Sequence, residues 1–166
     1  AEATEVMRAY RELGIRAVMV TAKSSRTVRA QAVQGLRQQR YDVVVNVGLF
    51  VEGLDVVEVE CVTLAMKNPT SSLSRYIQQL GRAMRVSPAS GKRNAFLFDH
   101  ARACFKWGLT SDDRNWGKNG IVTEPPTVML CNRCSLVFRP QGGSPCPICG
   151  AEARLQKRCR IRHVPK

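Results

Sequence analysis

Four short runs of continuous apolar residues, separated by segments with helical spacing, constrain this chain more than any other feature. RAVMVT (16–21), DVVVNV (42–47), VECVTLA (59–65) and NAFLFD (94–99) read as buried strands, the second β-branched almost throughout. Val6, Met7, Tyr10 and Leu13 recur at helical spacing before the first run, with Gly14 as a stop. A second helix carries Val28, Ala32, Val33 and Leu36, with Ser24 or Ser25 as its cap. A third covers 72–85, capped by Thr70 or Ser71. Strands that alternate with helices and are apolar on both faces predict an α/β fold, a parallel sheet flanked by helices. Such sheets carry their working loops at the carboxyl ends of the strands. Thr21, the 46–55 loop and the 66–70 turn are then expected on one edge.

The third helix raises the question of function. At about 100° per residue, Leu73, Ile77, Leu80 and Met84 form one stripe, and Gln78, Arg82 and Arg85 another. Gly81 lets a ligand or another backbone come close, at a helix-propensity cost of about 1 kcal/mol against alanine. Two guanidiniums a turn apart suit a phosphate, but the same stripe is also what a solvated helix face looks like.

Beyond NWGKNGIVTEPPT, a Gly- and Pro-rich stretch near 115–127 read as a boundary, the pattern changes. Cys131 and Cys134 form one CxxC, and Cys146 and Cys149 form a second after eleven intervening residues. Two thiolate pairs at this spacing predict a closed four-cysteine zinc site, structural rather than catalytic. Pro147 and Ile148 lead into Gly150, which permits a tight turn. Cys159 and His163 read as bystanders, Cys61 and Cys104 as packing residues, and His100 as structural. Trp107 and Trp116 are expected to pack against the sheet.

The net charge is +13 over 166 residues. Eighteen Lys and Arg face twelve Asp and Glu up to residue 126, and eight face one from 127 onward. Such an excess favours a polyanionic partner, most often nucleic acid, though a soluble basic surface gives the same count. Arg133, Arg139, Arg154, Lys157, Arg158, Arg160 and Arg162 can grip phosphates. There is no apolar run of membrane-spanning length and no signal-peptide pattern, so no membrane partner is expected and the expected setting is cytoplasmic.

The string QxxGRxxR, here Gln78, Gly81, Arg82 and Arg85, resembles the last motif of superfamily 2 helicases of the DEAD/DEAH type. NVGLFVEGLDVVEV (46–59) is similar to the preceding motif, whose Gly-x-Asp is Gly53 and Asp55. Many members carry threonine where Val47 stands. Asn46 and Gly48 flank it here, as in some phage and bacterial members. GIRAVMVTAKSSRTVRA and FLFDHARACFKWGLTSDDRNW (96–116) extend the resemblance over residues 1 to 116 in family order.

The resemblance implies a RecA-like C-terminal lobe over 1–120. The cysteine pattern itself resembles a zinc ribbon or rubredoxin-type knuckle, placed over 127–152, and a basic tail follows over 153–166. The helicase resemblance also implies that ATP and Mg²⁺ sit on a first lobe and that Arg82 and Arg85 reach the γ-phosphate. Gln78 would align nucleotide and water, and Gly53, Asp55 and Gly81 would line the nucleotide gap. Thr21, Asn46 and Gly48 would face nucleic acid, expected to be DNA in a bacterial or phage setting near the nucleoid. No GxxxxGK[ST] or DExH string occurs, and PASGKRN (88–94) reads as a loop. The first lobe is therefore expected from a missing N-terminal part, or else from a partner chain, and these residues alone are expected not to hydrolyse ATP. Two alternatives are a stand-alone zinc-dependent nucleic-acid-binding module and a protein-interaction adaptor.

Overall fold

The β-branched runs nearest the amino end pair with each other. The computed structural model describes residues 2–47, 56–114, 127–140 and 145–155. β1 (Ala17–Val20) lies parallel to β2 (Val43–Asn46), with Ala17 opposite Val43 and Val20 opposite Asn46. Parallel neighbours need a crossover, and α2 (Arg26–Arg37) supplies it. Ser25 caps α2, accepting a hydrogen bond from the Val28 amide at 3.2 Å. Ser24 instead takes the Thr21 amide at 3.0 Å. Gly35 is required because the Tyr41 ring lies over it: a Cβ there would stand 2.4 Å from the ring. α1 (Glu2–Glu12) precedes β1 and ends at Gly14, whose φ is +76°. Leu13, expected on its apolar stripe, is exposed.

A salt bridge holds the opposite end of the strand pair. Arg16 donates to Asp42 from Nε (2.9 Å), Nη2 (2.6 Å) and its own amide (3.0 Å). The Arg16 side chain, then its amide, hold the Asp42 carboxyl down at about 2.

β3 (Cys61–Leu64) and β4 (Phe96–Asp99) form a second two-stranded sheet. Burial alternates along both strands, so Leu64 is buried while Cys61, Thr63, Phe96 and Phe98 are exposed. This corrects the expectation that Cys61 is a core residue, because its position in the pleat turns it outward.

The chain divides into two compact units. The first comprises Ala1–Val62 and Ile77–Leu97, the second Thr63–Tyr76 and Phe98–Lys166. The predicted boundary near 115–127 falls almost wholly outside the described residues. In the second unit, α3 (Leu73–Leu80) begins at Ser72, whose Oγ accepts from the Arg75 amide at 3.3 Å. Ser72, not Thr70 or Ser71, is thus the cap. The Thr70 hydroxyl instead accepts from the Ser72 amide at 3.4 Å, and its carbonyl accepts from Trp107 Nε1 at 2.9 Å.

The buried Tyr76 hydroxyl donates to the Gly108 carbonyl at 2.9 Å. Trp107 closes the short helix α4 (Cys104–Trp107). Arg114 gathers the carbonyls of Trp107 and Leu109, at 2.9 and 2.6 Å. Cys104 is buried as expected, and burial, then Asp99, push its thiol up to about 12. No helix among the described residues is long and apolar enough to cross a membrane.

Tyr76→Phe removes one donor from a buried carbonyl and changes little else. Urea unfolding should show a loss of about 1–2 kcal/mol; an unchanged midpoint would mean that the bond does not hold Gly108 in place.

Candidate nucleotide and metal sites

The parallel register brings Thr21 and Asn46 to the same edge, one just beyond β1 and the other at the last position of β2. Asn46 is exposed and Thr21 half-buried. The Thr21 hydroxyl accepts from the Lys23 amide at 3.3 Å, which shapes the turn after β1. Gly48, Gly53 and Asp55 lie outside the described residues.

The arginine motif is displayed differently from the sequence expectation. Regular helix stops at Leu80, not at residue 85. The Gly81 amide still reaches the Ile77 carbonyl at 2.8 Å, but the Ala83 amide bonds the nearer Leu80 carbonyl at 3.1 Å. This tightening ends the helix. Ala83 is fully buried behind the turn, so the turn and not the helix places Arg82 and Arg85. Gln78 is exposed on α3, and both arginines are half-buried. At Gly81 a Cβ would fall 2.9 Å from the Ile77 carbonyl oxygen, so no other residue fits without moving backbone.

A residue the sequence reading left in a loop completes this turn. Lys92 Nζ donates to the carbonyls of Arg85 (2.8 Å), Val57 (3.1 Å) and Val59 (2.6 Å). A lysine in a polar loop carries no signal of such a role, because its acceptors come from distant parts of the sequence.

In the second unit, β5 (Met129–Cys131) is the central strand of an antiparallel sheet, flanked by β6 (Val137–Phe138) and β7 (Ala153–Leu155). β7 takes residues expected in the basic tail into this sheet. Each CxxC closes a knuckle of the same design. The Ser135 amide donates to the Cys131 carbonyl at 3.0 Å, and the Gly150 amide to the Cys146 carbonyl at 2.9 Å. Cys131 then bonds back to Leu136, and Cys146 to Ala151. Ser135 and Gly150 take the same left-handed conformation, at φ +59° and +69°. The glycine was legible in the sequence, whereas its serine counterpart was not.

The four sulfurs lie within 4.8 Å of one another. Cys131 to Cys149 and Cys134 to Cys146 are each 3.5 Å apart. These separations are too long for disulfides and near the ~3.8 Å edge of a tetrahedron with ~2.3 Å metal–sulfur bonds. The Cys134 amide first, then the Arg133 amide against the cost of burial, draw the Cys131 thiol down to about 6. The Leu136 amide also favours the Cys134 thiolate, yet burial and the neighbouring sulfurs push that thiol up to about 12. Four thiols this close together are the donor set of a metal site. The set can therefore hold a metal ion.

Arg139, a candidate phosphate contact from sequence, has another role. It pairs with Asp112 at 2.7 Å and donates to the Thr127 carbonyl at 3.2 Å. Arg133 and Arg154 are exposed. Lys157, Arg158, Cys159, Arg160, Arg162 and His163 lie outside the described residues, as does Trp116.

An α/β lobe carrying an arginine turn, with a cysteine knuckle module after it, is the class of a second helicase lobe with an appended metal-binding ribbon. Residues 1–87 match the helicase conserved C-terminal domain family, and the chain belongs to that family. A 51.5 kDa protein of a Lactococcus phage (isolate 7-9) is 28% identical over 160 residues, spanning 90% of this chain and 33% of the phage protein. IRC3 of Saccharomyces cerevisiae, named as an ATP-dependent helicase, is 31% identical over 77 residues, 46% of this chain and 11% of its own. The solved C-terminal domain of the DEAD-box protein Dbp5 aligns at a TM-score of 0.47 and 18% identity, over 63% of this chain and 59% of that one. The chain thus spans a third of the length of the phage relative and less of the yeast one.

Two outcomes test the knuckles. A strong chelator should expose Cys131, Cys134, Cys146 and Cys149 to thiol reagents together, and staggered reactivity would contradict a shared ion. Ser135→Gly should stabilise the module by about 1 kcal/mol, measured by denaturant, because only the serine is strained at positive φ.

Proposed function

We propose that this chain is the arginine-bearing lobe of an ATP-dependent helicase or translocase acting on DNA, and that its ATP is held with Mg²⁺ on a first lobe elsewhere in the natural protein. The observation that carries this reading is Gln78, Gly81, Arg82 and Arg85, in motif order, inside the residues that match the helicase family. Arg82 and Arg85 neutralise charge on the γ-phosphate as it transfers, and Gln78 orients the nucleotide and the attacking water. A guanidinium suits this task because it stays charged and offers planar paired donors. Gly53 and Asp55 couple the nucleotide gap to the nucleic-acid track, which is contacted by Thr21 and Asn46 at the strand ends and by Gly48. These residues alone, without a phosphate loop, do not turn over ATP. The protein works in the cytoplasm of a bacterial cell, encoded there or by a phage.

The four cysteines hold one Zn²⁺ in a structural role. Thiolate-only ligation closes the coordination shell and leaves no site for substrate. The exposed Arg133 and Arg154 add positive charge along a DNA path.

In the natural full-length protein, Arg85→Ala should lower DNA-stimulated ATP hydrolysis by about 10³-fold, the scale of an arginine finger elsewhere. ATP affinity should change little. Turnover at the wild-type rate would remove Arg85 from the mechanism. Elemental analysis should return about one zinc per chain; a folded ribbon without zinc would overturn that assignment.

A further inference from the structure

We infer that Lys92 is a positioning residue for Arg85, an inference that rests on the arginine-finger reading above. The Gly-Lys pair in PASGKRN invites comparison with a phosphate-binding lysine, and the geometry assigns it a different task. Ser87 and Lys92 face each other across an isolated antiparallel bridge. Between them Pro88–Ser90 makes one 3₁₀ turn, and Gly91 reverses the chain at φ +71°. The Ser90 amide and hydroxyl both donate to the Ser87 carbonyl, at 3.2 and 3.1 Å, and Ser87 itself is buried. This turn carries Lys92 back alongside the end of the arginine segment.

The ammonium group there has three N–H donors and meets three main-chain carbonyls, those of Arg85, Val57 and Val59. Every donor is engaged, which leaves none for a nucleotide phosphate. One acceptor is the peptide of Arg85 itself. The other two belong to the stretch that follows Asp55 and leads into β3. Lys92 therefore ties the last residue of the arginine motif to the segment that leads into β3. It fixes the backbone from which the Arg85 guanidinium departs. A lysine is specific to this geometry, since its donors rotate about a single nitrogen and can converge on three oxygens. The flat guanidinium of an arginine cannot do the same.

The test measures single-stranded-DNA-stimulated ATP hydrolysis by the natural full-length protein, with kcat and KM resolved separately. Lys92→Met keeps the apolar stem and removes the donors. It should lower kcat by at least about tenfold, as small displacements of a reacting group do, with KM for ATP within about twofold. Lys92→Arg keeps the charge and should not restore the rate. Arg85→Lys weakens the finger and leaves measurable activity, and adding Lys92→Met to it should produce little further loss. Wild-type kcat in folded Lys92→Met, or in Lys92→Arg, would overturn the inference, as would losses that multiply in the double variant. If Lys92→Met does not fold, Lys92→Arg decides alone. Failure of the underlying reading is separately visible: Arg85→Ala at full turnover removes the finger, whereas inactive Arg85→Ala beside fully active Lys92→Met removes only the role of Lys92.

Discussion

Two parallel strands cannot be joined by a tight turn, and much of the first unit follows from that constraint. A crossover must run from the end of β1 back to the start of β2, which makes α2 obligatory. Both strands then end on the same side, so Thr21 and Asn46 share an edge without contact in sequence. The opposite side is free for fastening, and there Arg16 clamps Asp42. A one-residue slip would break this pair and turn every strand side chain to the other face.

The positive charge has two destinations, and the structure separates them. A net charge of +13 suggests a polyanionic partner when it is taken as a sum. Yet Arg11, Arg29, Lys92, Arg114 and Arg139 each donate to main-chain carbonyls. The sites involved are turns and strand ends, where a carbonyl has no ladder partner. An unpartnered buried carbonyl is costly, and a long cationic side chain can reach one from several residues away. These groups are part of the scaffold. The exposed Arg133 and Arg154 belong to the part of the charge that faces solvent.

What the sequence made legible was whatever depends on near neighbours. β1 to β4 and the helix starts follow from runs and periodicities a few residues long. The paired cysteines and Gly150 announce the knuckles for the same reason. The misses depend on how the folded chain packs. Gln78, Arg82 and Arg85 project onto one stripe only if helix persists to 85, whereas the 2.9 Å approach of a Cβ at Gly81 to the Ile77 carbonyl marks where the chain tightens out of it. Thr70 and Ser72 carry the same capping group, and only the folded chain shows the Thr70 hydroxyl on the Ser72 amide and the Ser72 hydroxyl on the Arg75 amide. Lys92 and the Asp112–Arg139 pair join segments distant in sequence, so no local pattern reveals them.

The cysteine module gathers four thiols on little apolar burial. Among the described residues its buried ones are few and mostly small: Val128, Met129, Cys131, Cys146 and Ala153. A sheet with strands of two and three residues on that core has too little area to offset its conformational entropy unaided. Amides aimed at Cys131 favour its thiolate, while burial and the neighbouring sulfurs disfavour that of Cys134. In modules of this kind metal binding and folding are coupled. The Asp112–Arg139 pair ties the module to the segment that holds Trp107 and Tyr76, because Asp112 also accepts the Leu109 amide at 2.8 Å. A change at the knuckles should therefore be felt beyond them, at the carbonyls that Arg114 and Tyr76 keep in place.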